Sequence, residues 1–449
     1  MKRNGFSAMR QSLQKRGVSS VLFPRSSGRS PGTDPGKTDA LRFSVLKDGG
    51  ITSPSGFKSS GICAGLKKSG KADMALIYSE TPAKAAAAFT SCLFAAAPVV
   101  YGRDIISKGN LISAVIINSG NANACTGKKG LANVKSMART TAGLLGIRPD
   151  SVLVSSTGRI GVQMPMDKID AGIKKAVTAL SEKGGHDTAL AIMTTDTRPK
   201  EIAVSFQVSG RKVTIGGITK GAGMIAPGMN AVPHATMLAY VTTDASIDAK
   251  LLDKLLAEGA DLSFNRITVD GDMSTNDTLI VLANGRSGNK IIKSGSKEAA
   301  LFRDALLHVL QFLAKAIVLD GEGVTKFVTV KVLNAPGVKD ANLCAKSIAN
   351  SLLCKTAWFG GDPNWGRVMA AAGYSGASFN PDKVSLYYEK TPVVKNGQDA
   401  GTKESVLAEI VRKKEFTITL DLKSGRASAE VWTNDISYEY VKINADYHT

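Results

Sequence analysis

Histidine, cysteine and aromatic residues are scarce in this 449-residue chain, and their scarcity excludes several classes of site. The chain has four histidines and five cysteines, and aromatic residues make up 6% of it. The cysteines are odd in number, widely spaced and without a Cys-x-x-Cys pair, so they predict neither a disulfide scaffold nor a zinc site. No run of about 18 uncharged apolar residues occurs, which argues against a membrane-spanning helix and a membrane partner. A hydrophobic content of 43% predicts a globular protein.

Acidic residues are also in the minority, since 57 basic and 38 acidic side chains leave a formal net charge of +19. Basic doublets such as Lys67-Lys68 never extend into a patch and carry no interleaved aromatic residues, so we expect a solvated basic surface and no nucleic-acid partner. The first 39 residues hold eight basic and two acidic side chains and lack the apolar core of a secretory signal. Residues 1–40 are therefore predicted to be an organelle-targeting head, with a disordered tail that carries no address as the alternative.

Hydrophobic periodicity predicts alternating helices and strands from about residue 42 onward. Apolar residues at helical spacing predict helices over 130–145, 167–180, 249–262 and 297–317. Apolar or alternating runs predict strands over 74–78, 112–118, 151–155, 202–208, 212–218, 327–332, 384–388, 416–422 and 436–443. Ser209-Gly210 between two of these strands predicts a hairpin turn. Long helices between strand pairs indicate an α+β, or mixed α/β, protein that forms one unit with lobes.

Two familiar catalytic motifs are incomplete. Gly65–Ala72 resembles a phosphate-binding P-loop, but Ala72 stands where a magnesium-binding hydroxyl is needed, and a strand is predicted to follow instead of a helix. Gly373–Ala377 resembles the serine turn of α/β-hydrolases but lacks the second glycine at its required place. Neither motif supports the corresponding function.

Seven loops at the ends of predicted elements are rich in hydroxyl, amide and carboxylate groups that a hydrophobic core does not need. Each loop by itself is typical of a turn, but seven of them suggest a shared site. The loops are Asn118–Gly127, Ser155–Gly158, Thr194–Thr197, Lys220–Ile225, Asp270–Asp277, Asp320–Gly323 and Gly361–Arg367. These residues predict an enzyme without a metal, in which Ser or Thr is the nucleophile and an amine is the base. Their spacing does not choose among the hydroxyls.

The same loops make the sequence recognisable. Over residues 48–449 the chain resembles the ornithine acetyltransferase family, the bifunctional glutamate N-acetyltransferases of arginine biosynthesis. Further motifs that carry the resemblance are Gly56-Phe57, Met193–Thr197, Ala235–Leu238 and the terminal Ile443–Thr449. The resemblance implies a layered helix–sheet–sheet–helix sandwich, similar in layering to N-terminal-nucleophile hydrolases, with an additional α/β lobe.

The resemblance also implies that the precursor cuts itself between Ala235 and Thr236. The products would be an α chain of residues 41–235 and a β chain of residues 236–449, assembled as (αβ)₂ or (αβ)₄. The freed α-amine of Thr236 would then activate its own hydroxyl. By a ping-pong mechanism, Thr236 would take the acetyl group from N-acetylornithine, release ornithine and pass the acetyl group to glutamate.

Site roles follow from the same resemblance, residue by residue. The Thr157 hydroxyl and the Gly158 N–H would form the oxyanion hole, where each donor stabilises the transition state by about 3–4 kcal/mol. Substrate would contact Thr194, Lys220, Thr236, Glu322, Asn444 and Thr449. Lys220 suits a substrate carboxylate, and Glu322 suits an ammonium group. No cofactor is implied, and whether acetyl-CoA serves as a second acetyl donor stays open.

One departure from the family pattern bears on the mechanism. The segment Pro227–Thr236 is about five residues longer than the family's spacing, so it either bulges outward or obstructs self-cleavage. The second possibility leaves an inactive basic binding protein with blocked cleavage as one alternative to the acetyltransferase. A separate alternative keeps the fold but changes the reaction: a self-processing aminopeptidase or amidase in which water replaces glutamate. The basic head indicates an organelle, and stretches such as Ala95–Tyr101, which resemble plant and cyanobacterial sequences, favour a plastid over a mitochondrion; bacterial cytoplasm is the alternative.

Overall fold

A long strand shared by two sheets organises the first part of the protein. The computed structural model describes residues 42–226 and 237–446. In the first part of the chain these residues form nine strands: β1 Ser44–Leu46, β2 Phe57–Ile62, β3 Met74–Phe89, β4 Ile112–Asn121, β5 Val152–Arg159, β6 Lys200–Val208, β7 Arg211–Lys220, β8 Leu238–Thr243 and β9 Thr278–Ala283. Their order is β1-β6-β7-β8-β9-β3-β4-β5, with β2 also paired to β3.

The two halves of β3 have different neighbours. Residues 74–78 pair with β2 and β4, whereas residues 84–89 pair with β9. The register shifts between Tyr78 and Ala83, where one sheet passes into the other. Strand β3 therefore joins a β2–β5 sheet to a β1, β6–β9 sheet.

The two sheets pack face to face, as alternation along β8 and β9 shows. Leu238 and Tyr240 belong to the same buried cluster as Ile116 of β4, whereas Ala239 and Val241 belong to the cluster on the opposite face. Because side chains alternate across a strand, one face of β8 meets the other sheet and its second face meets helices.

Helices cover both outer faces. Those of this part are α1 Ala97–Ser107, α2 Gly127–Leu145, α3 Met166–Thr178, α4 Gly185–Ile192, α5 Ala249–Asp261 and α6 Lys297–Val318. Leu252 and Leu256 of α5 and Leu306 and Leu313 of α6 are buried against the β8 face that bears Ala239. Helices α2 and α3 pack on the β2–β5 side. The predicted helix–sheet–sheet–helix layering is confirmed.

Residues 327–434 build the additional lobe that was predicted. Its strands are β10 Phe327–Ala335, β11 Ser385–Tyr388, β12 Thr391–Lys395, β13 Gln398–Asp399, β14 Glu415–Asp421 and β15 Ala427–Asn434, in the order β13-β12-β11-β14-β10-β15. Its helices are α7 Val338–Asn350, α8 Leu352–Gly360, α9 Trp365–Gly373 and α10 Glu404–Val411. Strands β10 and β14 are parallel, and the lobe has its own buried core.

The predicted elements are largely confirmed, and the hairpin turn at Ser209-Gly210 has positive φ at both residues, as a two-residue turn requires. The strand predicted over 436–443 is wrong: this segment begins helix α11, Tyr438–Asp446. The Ser437 hydroxyl accepts from the Tyr440 N–H at 3.4 Å, which satisfies a donor in the first turn of the helix. The strand predicted to end at Ser155 continues to Arg159.

Within residues 42–226 and 237–446, no helix is long and apolar enough to cross a membrane.

Candidate active site

Two strands from different sheets bring predicted site residues together. Thr157 lies near the end of β5, and Lys220 is the last residue of β7. The Lys220 ammonium donates to the Thr157 hydroxyl at 3.4 Å, and both side chains are buried. Lys220 is also paired with Leu238, the first residue of β8. The predicted nucleophile Thr236 precedes Leu238 by two positions, but Ala235, Thr236, Thr449 and the long Pro227–Thr236 segment lie outside the described residues.

Gly158 occupies a position that admits no side chain. Its φ is +128°, and it is paired with Gly120 on β4. A Cβ atom at Gly158 would lie 2.4 Å from the carbonyl carbon of Gly120 and 2.6 Å from the Asn121 nitrogen. The glycine therefore lets β4 approach closely behind the predicted oxyanion donors.

Two asparagines fix the strand that carries these donors. The Asn276 amide donates to the carbonyls of Ala122 at 2.6 Å and Ser156 at 2.8 Å. Asn118 accepts from the Ser156 hydroxyl at 2.6 Å. The polar loops at 118–127 and 270–277 thus position the Thr157–Gly158 segment, a role that the sequence did not assign to either asparagine.

Glu322 and Asn444 meet beside the loop that follows Lys220. The Asn444 amide donates to Glu322 Oε2 at 2.8 Å, so helix α11 delivers Asn444 to this carboxylate. The Glu322 N–H donates to the Ala222 carbonyl at 2.9 Å, and a Cβ at Gly223 would lie 2.4 Å from Glu322 Oε2. The carboxylate therefore packs against the turn after Lys220.

The charge of Lys220 is set by its surroundings. Burial lowers the pKa of its ammonium group, Asp196 raises it and Lys200 lowers it again; Asp277 and Glu322 raise it further. Thr194 joins this group through its backbone, since its N–H donates to Asp196 Oδ2 at 2.9 Å. The described part of the chain thus unites Thr157, Gly158, Thr194, Lys220, Glu322 and Asn444 in one region.

Asp277 is a buried acid that sequence reasoning did not single out within its loop. Burial raises the pKa of its carboxyl well above the ordinary range, and the Met237 and Ser274 N–H groups and Lys220 oppose this shift. Its side-chain oxygens accept no hydrogen bond of normal geometry from the described residues. The next residue, Thr278, donates its N–H to the Met237 carbonyl at 3.0 Å, so Asp277 lies beside the residue that follows Thr236.

The Gly65–Gly70 loop, which resembles a P-loop in sequence, is built around an acid. The Asp73 carboxylate accepts from the N–H groups of Ala64, Leu66 and Lys67 at 2.6–2.9 Å. Strand β3 follows directly, so the interpretation that this motif is not a P-loop is confirmed. Among the described side chains, no group of three or more His, Cys, Asp or Glu could hold a metal ion.

Fold and site together define a layered α/β protein in which charged and hydroxyl side chains meet in a buried cluster. A profile of the ArgJ family matches residues 58–449. The arginine biosynthesis bifunctional protein ArgJ of Symbiobacterium thermophilum is 49% identical over 403 residues, which cover 89% of this chain and 99% of that protein. The glutamate N-acetyltransferase of Methanocaldococcus jannaschii is 48% identical over 411 residues, covering 90% and 99%. The chain belongs to the ArgJ family, and it is an acyltransferase.

Among solved structures, the chain is similar to ornithine acetyltransferase of Mycobacterium tuberculosis complexed with ornithine. The two are 40% identical, with a TM-score of 0.39, over 42% of this chain and 99% of that chain.

We expect Gly158→Ala to destabilise the protein by about 2–3 kcal/mol, because the new methyl group meets the β4 backbone and the positive φ is strained. Urea unfolding monitored by circular dichroism measures the change. Gly161→Ala is the matched control, since Gly161 also has positive φ but nothing lies within 4 Å of its Cβ position; it should cost about 1 kcal/mol. Equal losses in the two variants would contradict the close-approach explanation.

The lowered pKa of the Asp196 carboxyl predicts that this residue stabilises the folded protein to a degree that depends on pH. Burial would raise the pKa of this carboxyl, but Lys200, Lys220 and the Gly221 N–H outweigh it and lower the pKa to about 2. Because the unfolded value is about 3.9, the charged group contributes about 2–3 kcal/mol above pH 4, and the contribution is lost as the pH falls toward 2.

Asp196→Asn should therefore be less stable than wild type at pH 7, and the gap should narrow below pH 4, as measured by urea midpoints at several pH values. Asp150→Asn, in an exposed pair with Arg148, is the control and should show no comparable gap at pH 7. A gap for Asp196→Asn that stays constant from pH 7 to pH 3 would refute the assignment.

Proposed function

We propose that this chain is a glutamate N-acetyltransferase that moves the acetyl group of N-acetylornithine to glutamate through an acetyl ester on Thr236. The observation that carries the proposal is the buried Lys220 ammonium 3.4 Å from the Thr157 hydroxyl, with the Glu322–Asn444 pair beside the following turn. A buried cation and a buried carboxylate are the partners that the carboxylate and ammonium ends of an amino acid require. Lys220 is paired with the first residue of β8, which follows Thr236 by two positions, and Glu322 packs against the turn after Lys220.

The first step proposed is self-cleavage. The Thr236 hydroxyl adds to the Ala235 carbonyl, the peptide C–N bond breaks as the acyl group moves to oxygen, and water hydrolyses the resulting ester. The cut separates an α chain that ends at Ala235 from a β chain of residues 236–449, and the α chain begins at residue 41 if the predicted head is also removed. It also gives Thr236 a free α-amine with an ordinary pKa near 8, which can accept the proton of the threonine hydroxyl.

The transfer cycle follows from the same residues. Thr236 Oγ attacks the acetyl carbonyl of N-acetylornithine, the Thr157 hydroxyl and Gly158 N–H stabilise the oxyanion, and ornithine leaves with the returned proton. The neutral amine of glutamate then attacks the acetyl carbon, the bond from that carbon to Thr236 Oγ breaks, and N-acetylglutamate leaves. The proton lost by the amine returns to Thr236 Oγ through the Thr236 α-amine. Lys220 holds the substrate carboxylate, Glu322 and Asn444 hold the ammonium group, and Thr194 and Thr449 complete the contacts.

The names of the relatives support this cycle. One relative is named glutamate N-acetyltransferase, and the similar solved structure is an ornithine acetyltransferase complexed with ornithine. The cycle needs no resident cofactor. Acetyl-CoA as an alternative acetyl donor, an (αβ)₂ or (αβ)₄ assembly and the absence of nucleic-acid and membrane partners remain predictions. The relatives compared are bacterial and archaeal, so the plastid or mitochondrial destination of residues 1–40 gains no support from them.

Replacing Thr236 tests both the proposed self-cleavage and the proposed acetyl transfer. Wild-type protein should migrate as two fragments on a denaturing gel, with Thr236 as the first residue of one fragment. It should transfer labelled acetyl from N-acetylornithine to glutamate, and quenched samples should carry one acetyl group on the peptide that begins at Thr236. Thr236→Ala should remain a single 47.0 kDa chain without transfer, because both reactions need the same hydroxyl.

Thr178→Ala, at an exposed helix end, is the control and should behave as wild type. Transfer by Thr236→Ala would end the proposal. Release of free acetate without transfer to glutamate would identify an amidase instead. An uncut wild-type chain without transfer would contradict the proposal and favour the inactive binding protein.

A further inference from the structure

A buried ion cluster lies directly behind the candidate substrate site. The Lys200 ammonium is 2.6 Å from Asp196 Oδ1 and 2.6 Å from Asp320 Oδ2. The three side chains are 1%, 0% and 3% exposed, respectively. Breaking such a buried cluster by removing one member is costly, because it leaves charge without a partner in a low-dielectric environment.

Each carboxylate in the cluster holds a segment that carries a candidate substrate contact. Asp196 accepts from the Thr194 N–H at 2.9 Å and from the Gly221 N–H, next to Lys220, at 2.7 Å. Asp320 accepts from the Thr197 N–H at 3.1 Å and from its hydroxyl, and it lies two residues before Glu322. One ammonium group therefore ties together the segments that bear Thr194, Lys220 and Glu322.

The position of Lys200 in the sheet explains why it can reach both carboxylates. It is the first residue of β6 and pairs with Thr219, the neighbour of Lys220 on β7. Asp196 precedes it by four residues, whereas Asp320 follows helix α6, 120 residues along the chain. The cluster thus joins residues on both sides of the proposed cut at Thr236.

The cluster also balances charge. In their charged forms, Asp196 and Asp320 supply two negative charges, and Lys200 and the nearby Lys220 supply two positive charges. The other charged or titratable groups that act on Lys220 are Asp277, Glu322 and Lys67, and exposed Arg198 approaches Asp320 at 3.9 Å. Removing Lys200 would leave Lys220 as the main counter-ion of Asp196.

We propose that Lys200 is a positioning residue that sets the relative placement of Thr194, Lys220 and Glu322 around the amino-acid substrate. The inference rests on the proposed function, but Lys200 itself is not placed in contact with substrate. A misplacement of substrate-orienting groups by about 1 Å can lower the rate by about a hundredfold.

The test compares Lys200→Met with Lys108→Met, which removes a lysine from an exposed pair with Asp104. We expect Lys200→Met to raise KM for N-acetylornithine and glutamate at least about tenfold, with a smaller fall in kcat. The alkaline limb of kcat/KM should move to higher pH by up to about one unit, because loss of a neighbouring cation favours the charged form of Lys220. Lys200→Arg, which keeps the charge, should restore the position of that limb.

Kinetics and a pH profile for Lys200→Met that match those of Lys108→Met would overturn the inference. If Lys200→Met stays uncut or does not fold, Asp320→Asn decides the question: a raised KM supports the inference and a wild-type KM overturns it. If wild type itself transfers no acetyl group, the proposed function fails. Calorimetric binding of ornithine then tests Lys200 separately, since positioning requires weaker binding by Lys200→Met, and equal binding refutes it.

Discussion

The burial of the Lys220 ammonium group is the constraint on which the rest of the site depends. An isolated ammonium group is expensive to remove from water, so it needs carboxylates and hydrogen-bond acceptors around it. Here these come from four separate stretches of chain: Asp196, Thr157, Asp277 and Glu322 all act on it. Each stretch must itself be held in place, as Asn276 holds the Ser156 backbone next to Thr157.

The backbone of β4 and β5 also helps to fix the groups around Lys220. Gly158 and Gly120 let β4 and β5 approach without side chains between them, and Asn276 fixes β5 from behind. The polar groups nearest Lys220 are therefore set by strand ends and short loops on two rigid sheets. A site built this way keeps its geometry because its supports are themselves buried and hydrogen bonded.

Local patterns in the sequence predicted most of the fold, because helices such as α6 and turns such as Ser209-Gly210 depend on neighbouring residues. Helix α11 was missed because Tyr438 and Tyr440 alternate with polar residues as in a strand, while its start depends on the Ser437 hydroxyl. The resemblance to a family supplied the candidate residues Lys220, Glu322 and Asn444. The buried ion cluster of Lys200, Asp196 and Asp320 could not be predicted from the sequence. Lys200 and Asp320 are 120 positions apart, and the sequence does not show that their contact is buried.

Strand order has a further consequence for the two proposed chains. Strands β8 and β9 follow Thr236, yet they lie between β7 and β3, which precede it. The proposed cut would therefore leave two polypeptides whose strands alternate in one hydrogen-bonded sheet. Separating them would break the β7–β8 and β9–β3 pairings. Each of the two proposed chains holds only some of the strands of this sheet, and the sheet is complete only when both chains are present.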